Sequence, residues 1–287
     1  MPDTRISAIG TLSEALSIVW QGRQLVLLLI AFLSVVSLIY MWPMLDWYVP
    51  LMTDFSPEAG LDPATTQQIM DDMSYLFVGL IPFLFFLSAP FIIWSRASIG
   101  GTGVAMEGGI GALLKRTLWL VWRFICMFGW MILLIFALSI VLMVIEIFTG
   151  ISATLTAPGD PSQMWDVLLV MIPFYIILMG AFLALSLLYS ISMHGEARDF
   201  RLPIYKSFRA MKGNLVRATG ALMATMMIFY VVNFLVALLF IGTITAASTW
   251  LNIIGLFFLF AFSNLYYFIW ITYGALYASK LVPELKG

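Results

Sequence analysis

The chain has 287 residues, 62% of them hydrophobic and only 10% charged, with a mean hydropathy of +1.03. Such a composition cannot clothe a water-soluble domain, and it predicts an integral membrane protein whose polar stretches are too short for an independent catalytic domain. The formal net charge of -1 predicts no nucleic-acid partner, because phosphate binding needs an excess of Lys and Arg concentrated on one surface.

The apolar runs far exceed the roughly 10-residue alternating segments of an outer-membrane barrel, so the spans are expected to be helices that close their backbone hydrogen bonds internally. In chain order they fall at about 24–46, 75–95, 118–148, 165–190, 218–246 and 252–279. Each is long enough to cross a hydrocarbon core of roughly 30 Å at 1.5 Å per residue. The apolar run of the first continues to about Tyr40 and is followed by Trp42, Pro43 and Asp46 rather than small residues, so it reads as a retained span and not as a cleaved signal. The third is overlong, and Trp119, Trp122 and Arg123 suit a start in the interface. Trp42, Trp47, Trp94, Trp165 and Trp250 lie near expected span ends, where indoles favour the interface.

Charge sorts the connecting segments. Segments 47–74, 149–164 and 247–251 contain no Lys or Arg and hold Asp54, Glu58, Asp62, Asp71, Asp72 and Asp160. All fourteen basic residues fall in or beside the other segments. The positive-inside rule therefore places both termini in the cytoplasm, which requires an even number of spans.

One supersecondary order recurs three times: a short amphipathic stretch on the basic side, then two spans joined on the other side. The units are approximately 1–99, 100–195 and 196–287, within a single membrane domain. Near residue 11, Thr11 and Glu14 have capping-box spacing, and Leu12, Leu16 and Val19 form a stripe. Near 110, Leu113 to Val121 carries Lys115 and Arg116. Near 203, Pro203 suits the first helical position, Ile204, Phe208, Met211 and Leu215 form the stripe, and Lys206, Arg209 and Lys212 line another face. Such helices are expected in the interface with their cations, Arg201 included, at anionic head groups; docking of a protein partner is the alternative.

The segments LSEALSIVWQGRQLVLLL, near the start, and LPIYKSFRAMKGNLVRA, before the fifth span, together with this order of elements, resemble the YciC-like integral membrane proteins and the membrane domain beside some glycerophosphodiester phosphodiesterases. The resemblance covers most of the chain. The spans themselves predict an all-α fold, and the resemblance implies a six-span bacterial inner-membrane protein of poorly defined role; it does not imply diesterase activity, since the sequence has one histidine.

Catalytic groups are sparse. Cys126 stands alone in an apolar run, so no disulfide or thiolate metal site can form within one chain, and it reads as a small hydrophobe. His194, the only histidine, reads as an interfacial residue beside a turn at Gly195, without metal-ligand spacing. The glycines at 100–103 and 108–111 match neither phosphate-loop pattern and are expected to form a flexible link. Met70-Asp-Asp-Met73 is expected at a helix end rather than around a metal. Glu146 and Asp166 lie near the outer ends of their spans, and Arg123 near an inner end from which it can snorkel. Asn233 and Asn264 sit at matching depths of the last two spans, where an amide pair could bond across the helices. Pro82, Pro90 and Pro173 are expected to kink their spans.

Three functions follow in order of preference. The first is a non-enzymatic protein that organises lipid or docks partners at the cytoplasmic surface, with no cofactor. The second is a carrier for a lipid or apolar solute, which predicts a cavity near Pro82, Pro173, Asn233 or Asn264. The third is an intramembrane enzyme, which requires Glu146, Asp166 and His194 to converge.

Overall fold

A computed structural model describes residues 6–44, 63–149, 161–200, 202–244 and 249–282, and no strand occurs among them. The helices are α1 (Ala8–Gln21), α2 (Arg23–Met41), α3 (Pro63–Gly100), α4 (Gly109–Thr149), α5 (Pro161–Ala197), α6 (Ile204–Met211), α7 (Leu215–Ile244) and α8 (Thr249–Leu281). Six stretches are long and apolar enough to cross a membrane: Arg23–Met41, Met70–Gly100, Gly109–Val141, Ile172–Ala197, Leu215–Leu238 and Ile253–Leu281. The chain is an all-α polytopic membrane protein.

Hydrocarbon offers the backbone no hydrogen-bond partner, which is why the apolar runs stay helical through Pro82, Pro90 and Pro173. Hydroxyls inside the helices are satisfied in the same way. Ser34, Ser88, Thr117, Thr225 and Thr272 each donate to the carbonyl four residues earlier, at 2.6–2.8 Å.

The last helix is the hub. α8 packs against α1, α2, α3, α5 and α7, while α4 packs on α3 and α5. Phe268, Ile271, Tyr273, Ala275, Tyr277 and Ala278 of α8 are fully buried, together with Phe91 and Ile92 of α3, Leu120 of α4 and Leu187, Ile191 and Met193 of α5. These residues lie towards the end of each span that carries the basic residues. Towards the other end the helices bury far less: Phe77, Val78 and Ile81 of α3, Ile132 to Val144 of α4 with few exceptions, and Ile228 to Leu235 of α7 with few exceptions, are exposed. The bundle is therefore knitted at its basic end, and its opposite half presents mostly isolated apolar helix surface, which only lipid or another apolar surface can cover.

Two short helices lie at the basic end. α1 starts one turn before the expected capping box: Ser7 is the N-cap and its Oγ accepts from Gly10 N at 3.1 Å, while Thr11 lies inside the helix and donates to Ser7 O. Glu14 is drawn away from any cap by Lys280 of α8, at 2.6 Å. The buried side of α1 is Thr11, Ala15 and Val19, with Leu12 packed beside it; of the expected stripe Leu16 alone is exposed, because the small Ala15 permits close approach to the bundle. In α6, Pro203 is the N-cap rather than the first helical residue, and Ser207 and Met211 are buried. The stretch 113–121 forms no separate helix. It is the start of α4, which runs unbroken from Gly109, since nothing between Lys115 and Arg123 breaks the helical backbone.

Two glycines set the joints. Gly213, between α6 and α7, has φ +83°, a left-handed conformation that favours glycine. Gly22, between α1 and α2, has an ordinary φ of -88°, but a Cβ there would stand 2.5 Å from Trp94 Cη2. Trp94 is thus a buried core residue whose Nε1 donates to Thr272 Oγ1 at 2.7 Å, and not the interfacial indole its position suggested. An indole whose single donor is satisfied can be buried whole.

Candidate functional site

The charged and polar residues of the basic end converge in two adjoining places, a sealed polar core and an open cleft. At the centre of the first is His194, near the end of α5. It is fully buried, stacked on Phe91 at 5.0 Å between ring centroids, and held between Ser95 Oγ of α3 (2.5 Å from Nδ1) and Ser190 Oγ one turn earlier (3.2 Å from Nε2). One ring nitrogen donates and the other accepts, and each finds a hydroxyl able to reciprocate. The expected interfacial position is wrong because these two serines satisfy both nitrogens away from water. Ser95 and Ser190 are themselves fully buried. The arrangement cross-links α3 and α5, and its reacting atoms are closed to any substrate.

Gly274 is what lets α8 lie against this core. A Cβ at that position would be 2.1 Å from Ser190 Oγ and 3.1 Å from His194 Nε2. Beside it, Arg123 of α4 does not simply snorkel. Its Nη2 donates to Glu196 Oε1 at 2.9 Å, and the Glu196 side chain is only 7% exposed.

The second place is a cleft of ≈ 540 Å³ lined by Arg96, Gly100, Val104, Glu107, Gly108, Arg116, Arg198 and Asp199. Its geometry overturns the expectation of a flexible glycine link. Thr102–Val104 forms a 3₁₀ turn, and arginines hold the segment by its carbonyls. Arg96 donates from Nε to Val104 O and from Nη1 to Ala197 O, both at 3.0 Å, and from Nη2 to Glu107 at 2.7 Å. Arg116 donates from Nη1 to Glu107 O at 2.9 Å and, through Nε and Nη2, to both oxygens of Asp199. Arg116 was expected to be a surface cation. Its side chain is 9% exposed, because a forked guanidinium can satisfy a carboxylate and a carbonyl at once.

Asp199 adopts a positive φ of +62° in the turn after α5. The Arg116 hydrogen bond holds its carboxyl below the ordinary aspartate range. Burial, and then the Arg96 charge, push Arg198 below the ordinary arginine range.

The remaining sequence candidates are dispersed. Lys115, Lys206, Arg209 and Lys212 are exposed. Arg201 lies outside the described residues, as do the side chains of Glu146 and Asp166. By helix position alone, Glu146 stands roughly 30 Å along α4 from the level of Phe124, which borders the His194 neighbour Phe91. The convergence required of an intramembrane enzyme thus falls on side chains outside the described residues.

The expected amide pair is also not formed. Asn264 Nδ2 donates to Ser34 Oγ of α2 at 3.3 Å, so it faces away from α7. Asn233 instead lines a notch of ≈ 180 Å³ with Met226, Phe229, Tyr230, Phe262, Ser263 and Tyr266. Asn233 Oδ1 and the Tyr266 hydroxyl are buried without a hydrogen-bond partner among the described residues. Asp71 lies within α3, not at a helix end, and accepts from Gln67 at 3.1 Å. No group of three or more His, Cys, Asp or Glu among the described residues is placed to hold a metal ion.

The cleft was not found from sequence, although one signal pointed to it. Glu107, Glu196 and Asp199 are acidic residues in otherwise basic segments, and at a membrane boundary such residues need partners. Compared with protein-family models, with curated proteins and with solved structures, the chain matches none.

Proposed function

We propose that this is a non-enzymatic multipass protein of a bacterial inner membrane, with both termini in the cytoplasm, which organises anionic lipid at the cytoplasmic face. One observation carries the reading. At the basic end, α1 and α6 each bury one side on the bundle and leave large apolar residues outside, Ile9, Leu16 and Trp20 on one and Tyr205 and Phe208 on the other. Beside these stand the exposed Arg23, Lys206, Arg209 and Lys212. Apolar side chains and cations together at one level of a membrane protein fit the boundary between acyl chains and anionic head groups. The proposal takes the chain as one domain of three helix-plus-hairpin units, the second having its surface helix fused into its first span. It also keeps the YciC-like resemblance as the family assignment.

The test is lipid composition. The protein is extracted in native lipid discs, and Lys206→Gln/Arg209→Gln/Lys212→Gln is compared with the unaltered chain. At about 1 kcal/mol per cation near an anionic surface, the three changes together cost about 3 kcal/mol, roughly a hundredfold in affinity, and predict a marked loss of co-extracted anionic lipid; unchanged lipid composition overturns the reading, and loss of a stoichiometric protein instead moves it to partner docking. Sidedness has its own check. A cysteine at Gln67, exposed in α3, is labelled from outside intact cells, and one at Lys212 only after permeabilisation; the reverse pattern overturns the topology.

A carrier for a lipid or apolar solute is the second reading, favoured by the notch at Asn233 and Tyr266. At ≈ 180 Å³ it is smaller than the roughly 300–1,000 Å³ of ordinary ligand sites, which supports the first reading over this one. Transport lost from vesicles on Asn233→Leu would reverse the order.

A further inference from the structure

The cleft between the glycine segment, α4 and the end of α5 has the chemistry of a binding site rather than of a membrane anchor. Three guanidinium groups, from Arg96, Arg116 and Arg198, face two carboxylates, Glu107 and Asp199. The two kinds of group are held very differently. The Arg96 and Arg116 side chains are 8% and 9% exposed, while those of Glu107 and Asp199 are 65% and 61% exposed. The arginines also have anchors independent of the carboxylates: Val104 O and Ala197 O for Arg96, Glu107 O for Arg116. If both carboxylates swing out to solvent, the guanidiniums of Arg96 and Arg116 keep these carbonyl anchors, and an incoming anion restores the countercharge that two largely buried cations need. The carboxylates thus occupy places that another oxyanion can take without rearranging the arginines, and such preorganisation favours binding.

The walls are open where an anion would approach. Gly100 and Gly108 line the cleft. A Cβ on Gly100 would stand 2.7 Å from Val104 Cγ2 and 3.5 Å from Arg198 Nη2, and one on Gly108 2.8 Å from Ala112 Cβ and 3.6 Å from Arg116 Nη2, so the two glycines first admit Val104 and Ala112 and also leave the guanidiniums uncovered on that side. α4 starts at the next residue, Gly109, which brings the positive end of a long helix to the rim. At ≈ 540 Å³ the space falls within the roughly 300–1,000 Å³ usual for small-molecule sites.

We propose that this cleft binds a phosphomonoester, carried either on a lipid head group or as free phosphate. A dianion matches three guanidiniums once the carboxylates turn outward, and guanidinium forks pair with phosphate oxygens two at a time. A phosphodiester has one charge and fewer free oxygens, and is bound less well. Exposed Ile110, Leu114 and Leu118 at the start of α4 set the cleft at the membrane surface, within reach of a head group. The site is separate from Lys206, Arg209 and Lys212, so it stands or falls independently of the function proposed above.

The experiment uses the full chain in phosphatidylcholine nanodiscs, with inorganic phosphate, phosphatidic acid and phosphatidylglycerol as probes. Thermal denaturation reports phosphate binding, and native mass spectrometry reports retained lipid. A rise in melting temperature with inorganic phosphate, beyond chloride at equal ionic strength, identifies a site for free phosphate. Retention of one phosphatidic acid per chain in preference to phosphatidylglycerol, without that rise, identifies a head-group site. In either case Arg198→Gln lowers affinity by about tenfold or more, the scale of one charge-assisted fork, and Lys280→Gln, which removes a cation outside the cleft, leaves it unchanged. Equal retention of the two lipids with no phosphate effect, or full binding by Arg198→Gln, overturns the proposal. If Arg198→Gln does not fold, the comparison of phosphate with chloride and of the two lipids on the unaltered chain decides alone.

Discussion

Replacing Gly274 with alanine lowers the stability of the folded bundle by about 1–3 kcal/mol, the usual cost of forcing a methyl group into a filled core. The added carbon would lie 2.1 Å from Ser190 Oγ, far inside van der Waals contact. Neither neighbour can yield easily: Ser190 is fully buried on α5, and its hydroxyl is directed at His194, which Ser95 and Phe91 hold in turn. Relief must therefore come from moving α8, the helix that packs on five others. Small residues at such crossings are what allow membrane helices to associate, because lipid gives them no hydrophobic drive. The measurement is the melting temperature in detergent of Gly274→Ala, Ser190→Ala and the double variant. Ser190→Ala alone loses one hydrogen bond, about 1 kcal/mol. The double variant recovers much of the Gly274→Ala loss, giving a coupling of about 1 kcal/mol or more between touching sites. Additive losses would show that the helices meet elsewhere.

Hydropathy and charge carried the architecture a long way, because crossing a bilayer is a one-dimensional requirement. A run of apolar residues must be helical and long enough, and the six spans satisfy that condition one by one. What surrounds each polar residue depends instead on which helices touch, and that is not written in any single span. Asn233 and Asn264 matched in depth, yet the rotation of α8 turns Asn264 towards Ser34. Trp94 lay at a span end, yet Gly22 left room for its ring and Thr272 supplied an acceptor. His194 needed two serines, one from another helix, before it could be buried. The glycine segment read as a link because its order comes from the side chains of Arg96 and Arg116, anchored in the helices on either side of it. In each case the deciding partner is distant in sequence.

The second large effect belongs, among the described residues, to an ion pair in which both members are mostly buried. Arg123 and Glu196 have side chains 20% and 7% exposed. Replacing Glu196 with glutamine keeps the shape and removes the charge, leaving Arg123 beside neutral groups near the boundary of the hydrocarbon. Breaking a buried pair from one side costs about 3–5 kcal/mol, and the residual exposure of Arg123 places this case at the lower end, about 2–4 kcal/mol. The pair between Lys280 and Glu14 provides the contrast, with side chains 31% and 47% exposed, and Glu14→Gln should cost no more than about 1 kcal/mol. Removing both charges, as Arg123→Met/Glu196→Gln, should be less damaging than Glu196→Gln alone, because no uncompensated charge is then left behind. Melting temperatures of the four proteins decide the matter. If Glu196→Gln is no worse than Glu14→Gln, water reaches Arg123 freely and the packed end of the bundle is more open than its geometry implies. If the double variant is worse than the single one, Arg123 contributes through contacts other than its pairing with Glu196, and the penalty of an orphaned cation is small.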